Sequence, residues 1–69
     1  MDRLTRIIDE GRARTGLTIT ELCELIGMTR PKFYRRMKGK AFTVSELREL
    51  ANWLYLTDLE ILEIIRGRV

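Results

Sequence analysis

Residues 18–40 read TITELCELIGMTRPKFYRRMKGK, and two helices separated by a tight turn can be written from that stretch alone. Thr18 is followed three residues later by Glu21, a capping box in which the threonine hydroxyl accepts from a first-turn N–H and the glutamate reaches back to the cap's own N–H. A helix over about Ile19 to Ile26 follows, with Leu22, Leu25 and Ile26 expected inward. Gly27 supplies the left-handed backbone a tight turn requires, and Met28 plugs that turn. Thr29 then caps a second helix that opens on Arg30-Pro31 and stops at Gly39, because proline is preorganised for a first helical turn and glycine favours a helix end. On this helix Phe33 and Met37 lie four apart on one side, while Pro31, Arg35 and Lys38 fall opposite. One side is expected to pack and the other to face outward.

The outward side is cationic. Arg30, Lys32, Arg35, Arg36, Lys38 and Lys40 place six positive charges in this one element, and no Asp or Glu occurs from Leu25 to Val44. The whole chain carries only +3, so everything else must sum to −3. A field this lopsided usually faces a polyanion.

The same start signal recurs further along, at Thr43 with Glu46 and at Thr57 with Glu60. An opening helix over about Asp2 to Thr15 carries Leu4, Ile7, Ile8 and Gly11 on one stripe and ends at Gly16. Phe42 anchors the connection to a fourth helix, about Val44 to Tyr55, that buries Leu47, Leu50, Ala51 and Leu54. In a fifth, about Asp58 to Arg66, Leu59 and Leu62 make one apolar side, while Ile61, Ile64 and Ile65 extend the apolar arc most of the way round. Such a helix needs two neighbours. No run alternates apolar and polar residues between turn signals, so the expected class is all-α.

Sixty-nine residues are expected to form one domain over 1–69, and a chain of this size buries only about 60% of its unfolded surface, so association would help it. With 45% hydrophobic residues and one proline, the composition is that of a folded globule. No stretch of about 18 apolar residues occurs, and the start of the chain alternates charge and hydrophobe, unlike a secretion signal; a cytoplasmic location without membrane contact is expected. Cys23 is the only cysteine and there is no histidine, which leaves neither an internal disulfide nor a zinc cluster. No nucleophile is flanked by a plausible base. Neither catalysis, cofactor, metal nor small-molecule substrate is therefore expected.

Leu17-Thr18, Leu22-Cys23, Leu25-Ile26-Gly27-Met28-Thr29, then Phe33 and Gly39, follow the spacing of a helix-turn-helix: about eight residues, a glycine turn, about nine residues. The chain resembles the lambda-repressor-like domains of phage repressors and Cro-type regulators over most of its length. The helix-turn-helix covers about 18–39 and the last two helices about 44–66. Residues Arg30 to Lys40 followed by Phe42-Thr43-Val44-Ser45-Glu46-Leu47 are similar to small phage-borne regulators. The resemblance implies a five-helix lambda-repressor-like domain, a transcription regulator whose partner is double-stranded DNA, with the third helix in the major groove.

On that basis Arg30 and Arg35 are the candidates for guanine contacts. Lys32 and Tyr34 can touch a thymine methyl or a phosphate, and Lys38 and Lys40 meet backbone phosphate. Thr18 and Thr20, at a helix start whose dipole favours anions, are candidates for another phosphate; Thr29 and Pro31 complete the expected DNA-facing set. Cys23 occupies the slot where the family usually has alanine, at the close crossing of two helices, and is read as packing, with a redox-sensing thiol as the alternative. The chain departs from the family at Arg36, commonly apolar there and expected to run along the core rim, and at Ile19, where a polar residue, often glutamine, would brace the DNA.

One module of this size buries roughly 600–1,000 Å² on DNA, too little alone for selection against a genome, so a homodimer on a palindromic operator is expected. Trp53, Ile61, Ile64 and Ile65 are the candidate dimer contact; the alternative is that Trp53 and one isoleucine fold back onto the core. A different functional class also fits: a protein-interaction module, such as an antirepressor, using Tyr34, Trp53 and the isoleucines.

Overall fold

Every helix in this protein begins at a side chain that caps it. The structure, a computed structural model, describes residues 2–67 as α1 (Arg3–Thr15), α2 (Ile19–Ile26), α3 (Arg30–Gly39), α4 (Val44–Leu54) and α5 (Asp58–Arg66), with no strand among the described residues. Thr18, Thr43 and Thr57 each accept from the N–H of the glutamate three residues on, at 3.1 Å, and each donates its own N–H to that glutamate's Oε1, at 3.0, 2.8 and 2.9 Å. All three capping boxes expected from the sequence are formed. Asp2 caps α1 by accepting from the Thr5 N–H at 2.7 Å, which moves the start of α1 to Arg3. These contacts satisfy orphan donors of the first turn.

The helix ends differ from expectation at two places. Gly16 and Gly27 take the left-handed conformation, as their positions suggested, but α3 and α4 end on left-handed Lys40 and Tyr55, both at φ 52°. Gly39 is the last helical residue of α3, and Tyr55 lies just beyond α4. A left-handed non-glycine residue costs about 1–2 kcal/mol. The cost is offset because the turns that follow deliver Phe42, 1% exposed, and Leu56 to the core, and because the Ala41 and Leu56 N–H groups close back on the carbonyls of Arg36 and Ala51, both at 3.1 Å.

One continuous core joins Leu4, Ile7 and Ile8 of α1, Leu22 and Cys23 of α2, Met28, Phe33 of α3, Phe42, Leu47, Leu50 and Leu54 of α4, and Ile64 of α5. α1 packs on α4 and α5, and α2 packs on α4 and α3. Gly11 belongs to the α1 stripe because a Cβ there would lie 3.0 Å from the Leu54 Cβ, so the bare backbone is what lets α1 and α4 approach. Arg14 straps the same end: its Nη2 donates to the Leu54 and Tyr55 carbonyls at 2.8 and 3.2 Å and lies 3.6 Å from Glu60 Oε1. It thereby satisfies orphan carbonyls at the end of α4 and ties α5 to α1. Among the described residues no helix is long and apolar enough to cross a membrane.

Two faces are rotated from the sequence reading. On α2, Leu25 is 39% exposed, whereas Leu22 and Cys23 are buried and Ile19 and Ile26 half-buried. The buried arc centres between Leu22 and Cys23, and at 100° per residue Leu25 falls well outside it. On α5 the expected apolar side, Leu59 and Leu62, is 64% and 46% exposed, and Ile64 with half-buried Ile61 and Glu60 faces inward. Arg14's hold on Glu60 accompanies that rotation.

Candidate nucleic-acid interface

α3 contributes one fully buried side chain to the core, Phe33, whose ring meets Phe42 edge-on at 5.7 Å and Tyr34 at 6.0 Å. Half-buried Met37 sits one turn later. With Phe33 and Met37 inward, a 100° step per residue leaves Arg35 farthest from the core, with Lys32 and Arg36 on one flank and Tyr34 and Lys38 on the other. The first flank faces α4, where Arg36 Nε lies 3.3 Å from Glu46 Oε1. The second borders a groove of about 400 Å³ shared with Asp2, Asp9 and Arg12 of the α1 side and with Ile19 of α2.

The whole expected DNA-facing set is exposed: Thr18, Thr20, Thr29, Arg30, Pro31, Lys32, Tyr34, Arg35, Lys38 and Lys40. Eight of these sit on α3 or its caps, and Thr18 and Thr20 stand at the start of α2 on either side of Ile19, which lines the groove with Tyr34 and Lys38. The Thr18 and Thr29 hydroxyls are already acceptors for cap N–H groups, from Glu21 at 3.1 Å and Lys32 at 3.3 Å. Among the described residues, Arg30, Lys32, Arg35, Lys38 and Lys40 form no ion pair; Arg36 does, with Glu46. That pair is close but misaligned, since the buried Arg36 N–H is not aimed at the oxygen and makes no hydrogen bond.

Local electrostatics follow the caps. Asp2 is held below its ordinary carboxylate pKa first by the Thr5 N–H, with a smaller pull from Lys40; Glu21 is lowered by the Thr18 N–H. Burial pushes the Cys23 thiol up, and nearby Arg30 offsets this only in part. The thiolate is the reactive form, so burial at this crossing supports the packing reading over a redox sensor.

A cleft of about 230 Å³ opens on the α4-facing flank, walled by Lys32, Arg35, Arg36 and Ala41. A second, apolar groove of about 380 Å³ runs between α4 and α5 along Val44, Leu47, Arg48, Ala51, Ile61 and Ile65. Of the expected dimer contact, Ile61 and Ile65 line this groove. Ile64 does not, because it is 5% exposed and packs in the molecule's own core. Trp53, 36% exposed, lies nine residues from Val44 along α4, about half a turn away on the other flank. Val44, Leu47 and Ala51 form the α4 wall of the groove, a spacing of three and four residues visible in the sequence, but nothing in that spacing said that α5 would leave the gap beside them.

Chemically, the positive charges on α3 that form no ion pair among the described residues suit phosphate oxygens and base-edge acceptors, and the groove suits apolar surface. Comparison with family models, with curated proteins and with solved structures returns no match to this chain.

Proposed function

We propose that this chain is a sequence-specific DNA-binding regulator of transcription, built as a lambda-repressor-like helix-turn-helix, that lays α3 in the major groove and acts as a homodimer on a palindromic operator. One observation carries the reading: a ten-residue helix seated by Phe33 presents six clustered cations with its caps, five of them without an ion-pair partner among the described residues. An α-helix with side chains is about 10–12 Å across and the major groove about 12 Å wide, so one such helix fills it. The eight-residue α2, three-residue turn and ten-residue α3 suit a brace and a reading helix. Arg30 and Arg35 are the base-reading candidates, and Lys38, Lys40, Thr18 and Thr20 the phosphate-meeting ones. The α4–α5 groove, with Ile61 and Ile65, is the surface through which two copies would join.

Titrating duplex binding against salt tests the reading. Five or six phosphate contacts per subunit predict a steep log–log slope, about −0.9 per phosphate neutralised, and a salt-independent affinity overturns it. Selection of bound fragments from random DNA should return a palindrome with half-sites about 34 Å apart. The apolar groove also favours a second reading, a protein-interaction module such as an antirepressor. In that case the selection returns no preferred sequence, and duplex binding at about 150 mM salt is diffuse.

A further inference from the structure

Arg36 lies off the face centred on Arg35, yet its surroundings are those of a ligand-holding cation. Lys32, Arg35 and Arg36 stand at i, i+3 and i+4 of α3, a spacing that gathers like charges on one flank. With Ala41 they wall the 230 Å³ cleft, smaller than the about 300–1,000 Å³ of sites that enclose drug-sized ligands and of a size for a small anion. Among the described residues one carboxylate answers these three cations. It is Glu46, whose Oε1 lies 3.3 Å from Arg36 Nε and is already committed to the Thr43 N–H at 2.8 Å. The flank therefore keeps an excess of positive charge. A guanidinium offers five N–H donors in a planar fork suited to oxyanions, and Arg36 spends none of them in an aligned bond to Glu46.

We propose that this cleft is a phosphate site in which Arg36 and Lys32 hold one phosphodiester of the duplex that α3 enters, with Glu46 as the positioning residue that keeps Arg36 in place. The inference rests on the DNA-binding reading above. It gives a role to Arg36, one of the two positions at which the chain departs from the family it resembles, because a phosphate gripped beside the groove fixes the axial register of α3 without reading sequence.

The test compares full-length wild type, Arg36→Gln, Lys32→Gln and Arg30→Ala by duplex binding across a salt series, with circular dichroism to confirm folding. Arg36→Gln and Lys32→Gln should each weaken binding to every sequence alike and each lower the salt slope by part of the about 0.9 that one shared phosphate supplies, the double variant losing the whole of it. Arg30→Ala should change sequence preference instead. Lys32 has no ion-pair partner among the described residues, so Lys32→Gln decides the matter should Arg36→Gln fail to fold. Slopes equal to wild type for the folded variants overturn the phosphate site and leave the DNA-binding reading standing, whereas a wild type that binds no duplex overturns both. Inorganic phosphate at constant ionic strength is the second arm. Saturating amide shifts at Lys32, Arg36 and Ala41 with an unchanged duplex slope would identify free phosphate as the ligand and overturn the assignment to the DNA backbone.

Discussion

α3 and α5 are near-equals in length and in how little they bury, and they differ in what they show to solvent. Each gives the core one buried side chain, Phe33 from α3 and Ile64 from α5, and each leans chiefly on one neighbour, α2 and α1 respectively. α3 turns outward Arg30, Lys32, Tyr34, Arg35 and Lys38; α5 turns outward Leu59, Leu62 and Ile65. Their starts differ too. α5 opens on a complete capping box with Glu60 at the third position, whereas α3 has Lys32 there and only the one-way bond from its N–H to Thr29. Carboxylates favour the positive end of a helix, so α3 forgoes a stabilising residue at its start and keeps its exposed face free of negative charge. The two helices teach that elements anchored by one buried side chain each can present different chemistry to solvent, a cationic face on α3 and, between Asp58 and Arg66, an apolar arc on α5.

The largest expected effect separates their anchors. Phe33→Ala removes a fully buried ring that touches Phe42 and should cost about 3–5 kcal/mol. A core in a chain this small seldom supplies more than about that, so most molecules should be unfolded in a chemical denaturation baseline at 25 °C. Ile64→Ala should cost less, about 2–3 kcal/mol, because the site is 5% exposed and α5 can settle inward. If denaturant midpoints rank Ile64→Ala as the more damaging change, the two helices are not seated as described.

Lys32→Glu sharpens the comparison by giving α3 the box that α5 already has. It should raise stability by about 0.5–1 kcal/mol while weakening duplex binding, a trade between stability and function. A thermal melt that shows no gain would mean the helix start was not limited by its third residue. The smallest effect is the acid one. The Asp2 and Glu21 carboxyls are lowered in the folded state by cap N–H groups, so their contribution is complete above the ordinary carboxylate range near pH 4 and is lost as pH falls through the lowered values. Melting temperature should decline across that window, and the decline should shrink in the Asp2→Asn, Glu21→Gln double variant.

Much of this was legible because caps are local. Thr18, Thr43 and Thr57 each announce a helix through a glutamate three residues away, and the cluster of cations on α3 needs only the positions of Phe33 and Met37 to be assigned a face. The faces of α2 and α5 were not legible in the same way. Leu25, Leu59 and Leu62 are as hydrophobic as the residues that displaced them from the core, and periodicity cannot choose between two adjacent apolar arcs on a short helix. Arg14's bonds to the Leu54 and Tyr55 carbonyls, some forty residues away, and the 3.0 Å constraint at Gly11 have no counterpart in local pattern.

The sequence by itself determined where α2 to α5 start, that the class is all-α, and that one helix carries the positive charge, because hydrogen bonds across three residues and a 3.6-residue period depend on nothing distant. The tertiary structure alone decided which isoleucine of α5 is core and which are open, that Trp53 and the α4–α5 groove lie on different flanks of α4, and that Arg36 shares a cleft with Lys32 beside Glu46. Those outcomes depend on how each helix rolls about its own axis when it meets its neighbours, and that angle is set by the packing of the whole.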